Sequence, residues 1–253
     1  MKIEKYKKMS RGRYKITFDS GEYIIYEDVI INNNLLLIKE VDIKLLEKIL
    51  AENIEYECYD LALSYIDIKL RTEKEIYDYL YKKGFENELI SKIVKKLKNN
   101  NFIDEKKYIE AYINDKINLT NWGPYKIKKS LLDLGIDENR INDYLDTIDN
   151  KIWEDKINKI LDKRIKSLKN KSKYMIKNKL NIELYELGYD KELIHSSINN
   201  INIDEKDAIK KEVSNLYDKL SKKYSGYELK KQIKNHLYKK GFCVNDIDYE
   251  FLE

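Results

Sequence analysis

Reactive side chains are scarce in this 253-residue chain. Histidine occurs only at His195 and His236, with neither Cys nor Asp at ligand spacing beside them, so no metal site is expected. Neither of the phosphate-cradling patterns, GxxxxGKS/T or GxGxxG, is present. There is no nucleophile elbow to present a serine to a histidine. The many carboxylates stand beside lysines at helical spacing, which is how a solvated helix face reads. These absences point away from an enzyme: no catalytic residue, no cofactor and no metal are expected.

What remains is positive charge, and its chemistry is electrostatic attachment to an acidic partner or to a phosphate backbone. The candidate residues fall in groups. Arg71, Lys82 and Lys83 form one, and Lys126, Lys128 and Lys129 another. Lys163, Arg164 and Lys166 lie in the densest run, KINKILDKRIKSLKNKSKYMIK. Lys230, Lys231, Lys239 and Lys240 form the last. A solvated face would carry the same charges, so both readings stand. The net charge of +4 is small, but its distribution is uneven. Residues 1–15 sum to about +6, residues 16–60 to about −8, and residues 151–175 to about +6. The joint richness in Lys, Asn, Ile and Tyr is what an AT-rich genome supplies, so the 22 tyrosines carry little weight as evidence of nucleic-acid contact. Trp122 and Trp153 are read as core residues rather than stacking platforms.

Apolar residues make up 42% and charged residues 37%, with a single proline, a mixture that suits long soluble helices. No apolar run is long enough to span a membrane, and MKIEKYKKMSRGRYKITF lacks the apolar block of a secretory signal. Two cysteines, Cys58 and Cys243, fit a reducing compartment, so a cytoplasmic location is expected.

The elements that position the basic groups recur. LYKKGF occurs at Leu80–Phe85 and again at Leu237–Phe242. Gly135 in LLDLGI and Gly188 in LYELGY stand between, giving glycine spacings of 51, 53 and 53 residues. Four residues before each glycine is Leu80, Leu131, Leu184 or Leu237, and eight before is Ile76, Ile127, Leu180 or Ile233. Such spacing makes an apolar helical stripe. Each glycine is expected at the left-handed position that closes a helix. The residue after it, Phe85, Ile136, Tyr189 or Phe242, should pack back on the leucine. Six residues past each glycine the stripe resumes at Ile90, Ile141, Ile194 and Ile247.

Helix starts are marked as well. Thr72 with Glu75 makes a capping box, and Gly123-Pro124 puts proline at the first helical position. Ser172 and Ser225 lie four residues further from their glycines, so those two helices should run about one turn longer. Asp137 and Asp190 open following helices, while Asp104 and Asp204 open leading ones. The unit is therefore three helices in about 52 residues.

The expected division is an N-terminal region at 1–53 and repeats at 54–100, 101–150, 151–201 and 202–253, the last with a short third helix. In the N-terminal region RYKITF and EYIIYED alternate around DSG and read as a β-hairpin that must pack on something or gain a third strand. DIKLLEKILAEN then reads as a helix capped by Asp42. The fold class is mainly α, an array of tandem three-helix repeats with a small N-terminal β-hairpin region.

Three stretches together resemble the RecX family, regulators of the bacterial RecA recombinase. In KLRTEKEIYDYLYKKGF, Arg71, Thr72, Glu75, Leu80 and Gly84 match the family pattern, while Lys69 and Leu70 depart from its Arg-Pro. In NFIDEKKYIEAYI, Asp104 and Tyr108 match and Glu105 replaces a second Asp. In WGPYKIKKSLLDLGI, Gly123, Pro124, Ile127, Leu131, Gly135 and Ile136 match and Leu134 replaces a Lys. The N-terminal hairpin and the additional repeat resemble the family's longer members.

The resemblance implies an elongated, curved array of helical repeats, acting as a single copy, that binds the groove of the RecA–DNA filament. It implies modulation of recombinase, ATPase and coprotease activities in DNA repair, inhibition being the expected sense, with no cofactor. A rival reading is a helical-repeat protein that binds single- or double-stranded DNA through its basic faces without a recombinase partner. Most motif residues read as structural. Arg71 is the exception, since neither capping nor core packing needs a guanidinium there; it either bridges neighbouring helices or touches the partner.

Overall fold

The computed structural model describes residues 1–243, and the chain divides into two compact units. The first comprises Met1–Tyr108 with Leu134–Ile136; the second comprises Ile109–Asp133 and the chain from Asp137 onward.

The first unit opens with three antiparallel strands, β1 (Ile3–Lys8), β2 (Arg13–Phe18) and β3 (Gly21–Tyr26), in the order β1-β2-β3. The expected hairpin is β2–β3, and β1 is the third strand that a lone hairpin needs. Period-two reading passes over β1 for a physical reason. The register shifts between Ile3 and Lys5, so its inward residues, Ile3 and Tyr6, fall three apart. Ile16, Phe18 and Ile25 of the sheet pack with Val29, Ile30, Leu46 and Ile49 into one core. The open edge of β3 is closed by a side chain rather than by a strand. Asn53 accepts from the Tyr26 N–H at 2.9 Å and donates to the Ile24 carbonyl at 3.0 Å.

After the short helix α1 (Glu27–Asn32), α2 runs from Ile43 to Ile68 without a break. Asp42 caps it, accepting from the Leu45 N–H at 2.7 Å. The stretch around residue 53 holds no Gly, Pro or capping pattern, so nothing stops the helix at the place expected to separate two regions. The C-terminal half of α2 packs with α3 (Glu73–Lys82) and α4 (Asn87–Asn99). Their core is Cys58, Ala62, Ile76, Leu80, Ile90, Ile93 and Leu97, every one of them 0% exposed. Burial of each large aliphatic side chain there stabilises by about 1.5–3 kcal/mol.

The second unit continues α5 (Glu105–Leu119) and holds α6 (Pro124–Asp133), α7 (Glu138–Leu145), α8 (Asn150–Leu168), α9 (Lys173–Glu186), α10 (Lys191–Asn199), α11 (Lys206–Leu220) and α12 (Gly226–Lys239). Helices α3 and α6 have 10 residues and α9 and α12 have 14, the extra turn that the serine positions imply. Thr72 and Glu75 form the full reciprocal capping box. Asp104, Asp137 and Asp190 accept first-turn N–H bonds as expected. Asp204 does so one residue early, its carboxylate taking the Lys206 N–H while Glu205 stands at the cap position.

The four periodic glycines share one backbone state, with φ of 92° at Gly84, 82° at Gly135, 85° at Gly188 and 77° at Gly241. At three of them the paired bonds of a Schellman ending are present. Phe85, Tyr189 and Phe242 donate to the carbonyls of Leu80, Leu184 and Leu237. Asn101, at φ 60°, closes α4 in the same manner, with Phe102 donating to Leu97. Ile247, and with it the third helix expected in the last repeat, lies outside the described residues.

Candidate partner-binding surface

Side-chain geometry sorts the basic candidates into those committed within the fold and those presented to solvent. Arg71 is committed. Its side chain is 12% exposed, its guanidinium stacks 3.8 Å from the Tyr65 ring centre, and it lies 3.3 Å from Glu75. It therefore ties the end of α2 to the first turn of α3. Lys128 pairs with Glu138 at 2.7 Å, Arg164 with Glu183 at 2.7 Å, and Lys240 with Glu212. The hydrogen bond to Glu183 raises the Arg164 pKa further above its ordinary value. Lys231 lies 4.0 Å from Glu228. Lys230 is half-buried.

Lys82, Lys83, Lys129, Lys163, Lys166 and Lys239 are exposed, and Lys83 sits over the Tyr79 ring at 5.5 Å. Lys163 and Lys166 project from α8, so the densest basic run keeps free charge after Arg164 is paired. Lys156 of the same helix turns inward. It donates to the Thr120 carbonyl at 2.7 Å and to the Ile117 carbonyl, capping the end of α5, and burial lowers its pKa.

Within the second unit, a cleft of about 600 Å³ opens where the start of α6 meets the α9–α10 turn. Lys126, Lys129 and Lys191 line it with Tyr125 and Tyr185, and the acids Glu186 and Asp190 line it too. Tyr125 and Tyr185 are each 59% exposed, and Lys191 lies 5.8 Å from the Tyr185 ring centre. Trp122 stands beside this group. It is half-buried rather than core, flanked by Lys116 at 4.6 Å and Lys126 at 5.2 Å from its ring. The core expectation holds for Trp153, 4% exposed, and not for Trp122, whose ring the two cations claim.

Cations beside exposed aromatic faces suit a flat or anionic partner surface. They provide no nucleophile paired with a base. His195 lies against Asn199, and His236 contacts the Gln232 carbonyl within its own helix.

Of the cleft residues, Lys126 and Lys129 were legible from sequence as candidate partner contacts, and Gly188, Tyr189 and Asp190 only as structural positions. Tyr185 and Lys191 lie some 60 positions further along, and no local pattern links them to α6. No helix among the described residues is long and apolar enough to cross a membrane.

Residues 58–97 match the family model described as RecX, first three-helix domain. Over 98% of this chain and 97% of theirs, two relatives called regulatory protein RecX are similar. The one from Streptococcus agalactiae serotype III (strain NEM316) is 36% identical, and the one from Streptococcus uberis 31%. Among solved structures, one titled crystal structure of regulatory protein RecX matches with a TM-score of 0.65 at 26% identity, covering 79% of this chain and 99% of that one. The crystal structure of RecX from Lactobacillus salivarius matches with a TM-score of 0.54 at 30% identity over 57% of this chain and 94% of its own.

Proposed function

Because the chain belongs to the RecX family of regulatory proteins, we propose that it acts by binding the RecA filament assembled on DNA, and that it lowers the filament's recombinase, ATPase and coprotease activities without catalysis of its own. The observation that carries this reading is similarity over 98% of this chain to a regulatory protein that is itself covered to 97%. The surface is compatible with it. Lys163 and Lys166 on α8, and the Tyr125–Lys129–Tyr185–Lys191 cleft, offer exposed cations and aromatics over an extended area rather than one enclosed pocket. Contacts of this kind weaken steeply as salt rises.

The test is direct. Purified protein is added to preformed RecA filaments on single-stranded DNA while ATP hydrolysis is followed. The rate falls with added protein if the reading holds. An unchanged rate at saturating protein, together with tight binding to naked DNA, transfers the function to direct DNA binding.

A further inference from the structure

The outer face of the N-terminal sheet carries positive charge at two places where the sheet would be more stable without it. The first is a cross-strand pair. Lys7 lies directly opposite Lys15, with Lys5 opposite Thr17, on the side away from buried Ile16 and Phe18. Like charges opposed across antiparallel strands repel. Arg13 is two residues from Lys15 and so lies on the same side of β2. Glu22 answers this group from β3, pairing with Lys15. Its carboxyl is held below the usual range mainly by that hydrogen bond, with a smaller contribution from Lys7.

The second place is the β1–β2 turn. Arg11 has φ 60° and Gly12 has φ 62°. Positive φ is a backbone state that glycine and asparagine adopt with the least strain. An arginine there is less favourable than an asparagine or a glycine. Arg11 is exposed, and of these five bases only Lys15 is joined to an acid by an ion pair among the described residues. Burial raises the Tyr26 pKa, with Asp60 and Glu57 of α2 adding to the rise and Arg13 and Arg11 opposing it, so acids as well as bases act at this end of the sheet.

Two unrelated local choices thus work against stability, and both add positive charge to one end of one sheet. Departures of that kind are expected where a surface has work to do. We infer that Lys5, Lys7, Arg11, Arg13 and Lys15 form a surface that binds the phosphate backbone of nucleic acid without reading its sequence. The bases recur at about 5 Å across the strands and about 7 Å along them. A polyphosphate supplies charge of one sign at comparable density, whereas protein surfaces intersperse both signs. This inference does not depend on a recombinase partner.

The first measurement uses the full chain alone, with no recombinase, and a fluorescent single-stranded oligothymidylate across a salt series; a second follows binding to preformed filaments. A variant carrying Lys7→Gln, Lys15→Gln and Arg11→Asn is compared with the unaltered protein. We expect at least about a 10-fold loss of affinity at low salt, and a log-affinity against log-salt slope smaller by about 2, from roughly 0.7 per lost phosphate contact. The melting temperature should be nearly unchanged, because relief of repulsion and turn strain offsets loss of the exposed Lys15–Glu22 pair. Equal affinity and slope in the two proteins, or no oligonucleotide binding by the unaltered one, overturns the inference. So does a variant that loses filament binding while keeping its oligonucleotide affinity, since the face then serves an acidic protein.

Discussion

Gly123 and Gly188, 65 positions apart, meet backbone to backbone. The Gly123 N–H donates to the Leu187 carbonyl at 2.7 Å, and the Tyr125 N–H donates to the Gly188 carbonyl at 3.0 Å. The end of α9 thus supplies the acceptors that the start of α6 lacks, while Pro124 between them has no N–H to satisfy. A Cβ on Gly123 would lie 2.5 Å from the Gly188 oxygen, and one on Gly188 would lie 2.4 Å from the Lys126 nitrogen. Tyr189 seals the junction, its hydroxyl donating to the Asn121 carbonyl at 3.1 Å.

The periodic glycines therefore differ in what they tolerate. Gly84→Ala meets nothing within 4 Å and should cost only its left-handed backbone, about 1 kcal/mol. Gly188→Ala adds a clash with rigid helix backbone and should cost about 2–4 kcal/mol. Urea unfolding of the two variants measures the difference, and equal losses would show that the junction does not constrain Gly188.

Arg71→Ala should destabilise by about 1–2 kcal/mol, through loss of the Tyr65 stack and the Glu75 contact. Arg71→Lys should recover little, because an ammonium cannot stack as a planar guanidinium does. Filament binding by the folded variants should match the unaltered protein. A binding defect without a stability defect would move Arg71 to the partner surface.

Charge reversal at Lys163, Arg164 and Lys166 to Glu should weaken filament binding. The thermal stability should hardly move, because of these three only Arg164 has an ion-pair partner among the described residues, and that pair is half exposed, worth under about 1 kcal/mol. Filament binding that survives intact would reduce this run to solvated surface.

The two cysteines should differ in reactivity. Burial pushes the Cys58 thiol up to about 11, whereas Cys243 is exposed. At pH 8 a maleimide should modify one thiol in the native protein and two after denaturation. Because the folded-state value is the raised one, the buried neutral thiol supports folding fully below about pH 8.5, its ordinary range, and that support is lost as pH rises towards 11. Cys58→Ala should therefore flatten the alkaline fall in melting temperature. An identical fall in the variant would exclude Cys58 as its cause.

The capping box at Thr72, the proline at position 124, the extra turn of α9 and α12 and the left-handed glycines were all legible in the sequence. Each is decided within one or two helical turns, by which side chain can satisfy a nearby N–H or occupy a positive φ. The family was legible for the same reason, since its motifs are such caps and closures in order. Other features depend on groups far apart in the chain. The bulge in β1 hid a strand that only pairing with β2 reveals. Trp122 left the core because Lys116 and Lys126, on two different helices, flank its ring. Arg71 was committed by Tyr65, and the cleft was made by bringing Tyr185 and Lys191 to α6. Apolar periodicity states that a face is buried without stating against what, so the partners of a helix, and the charges left free once they are chosen, are settled only when the helices pack.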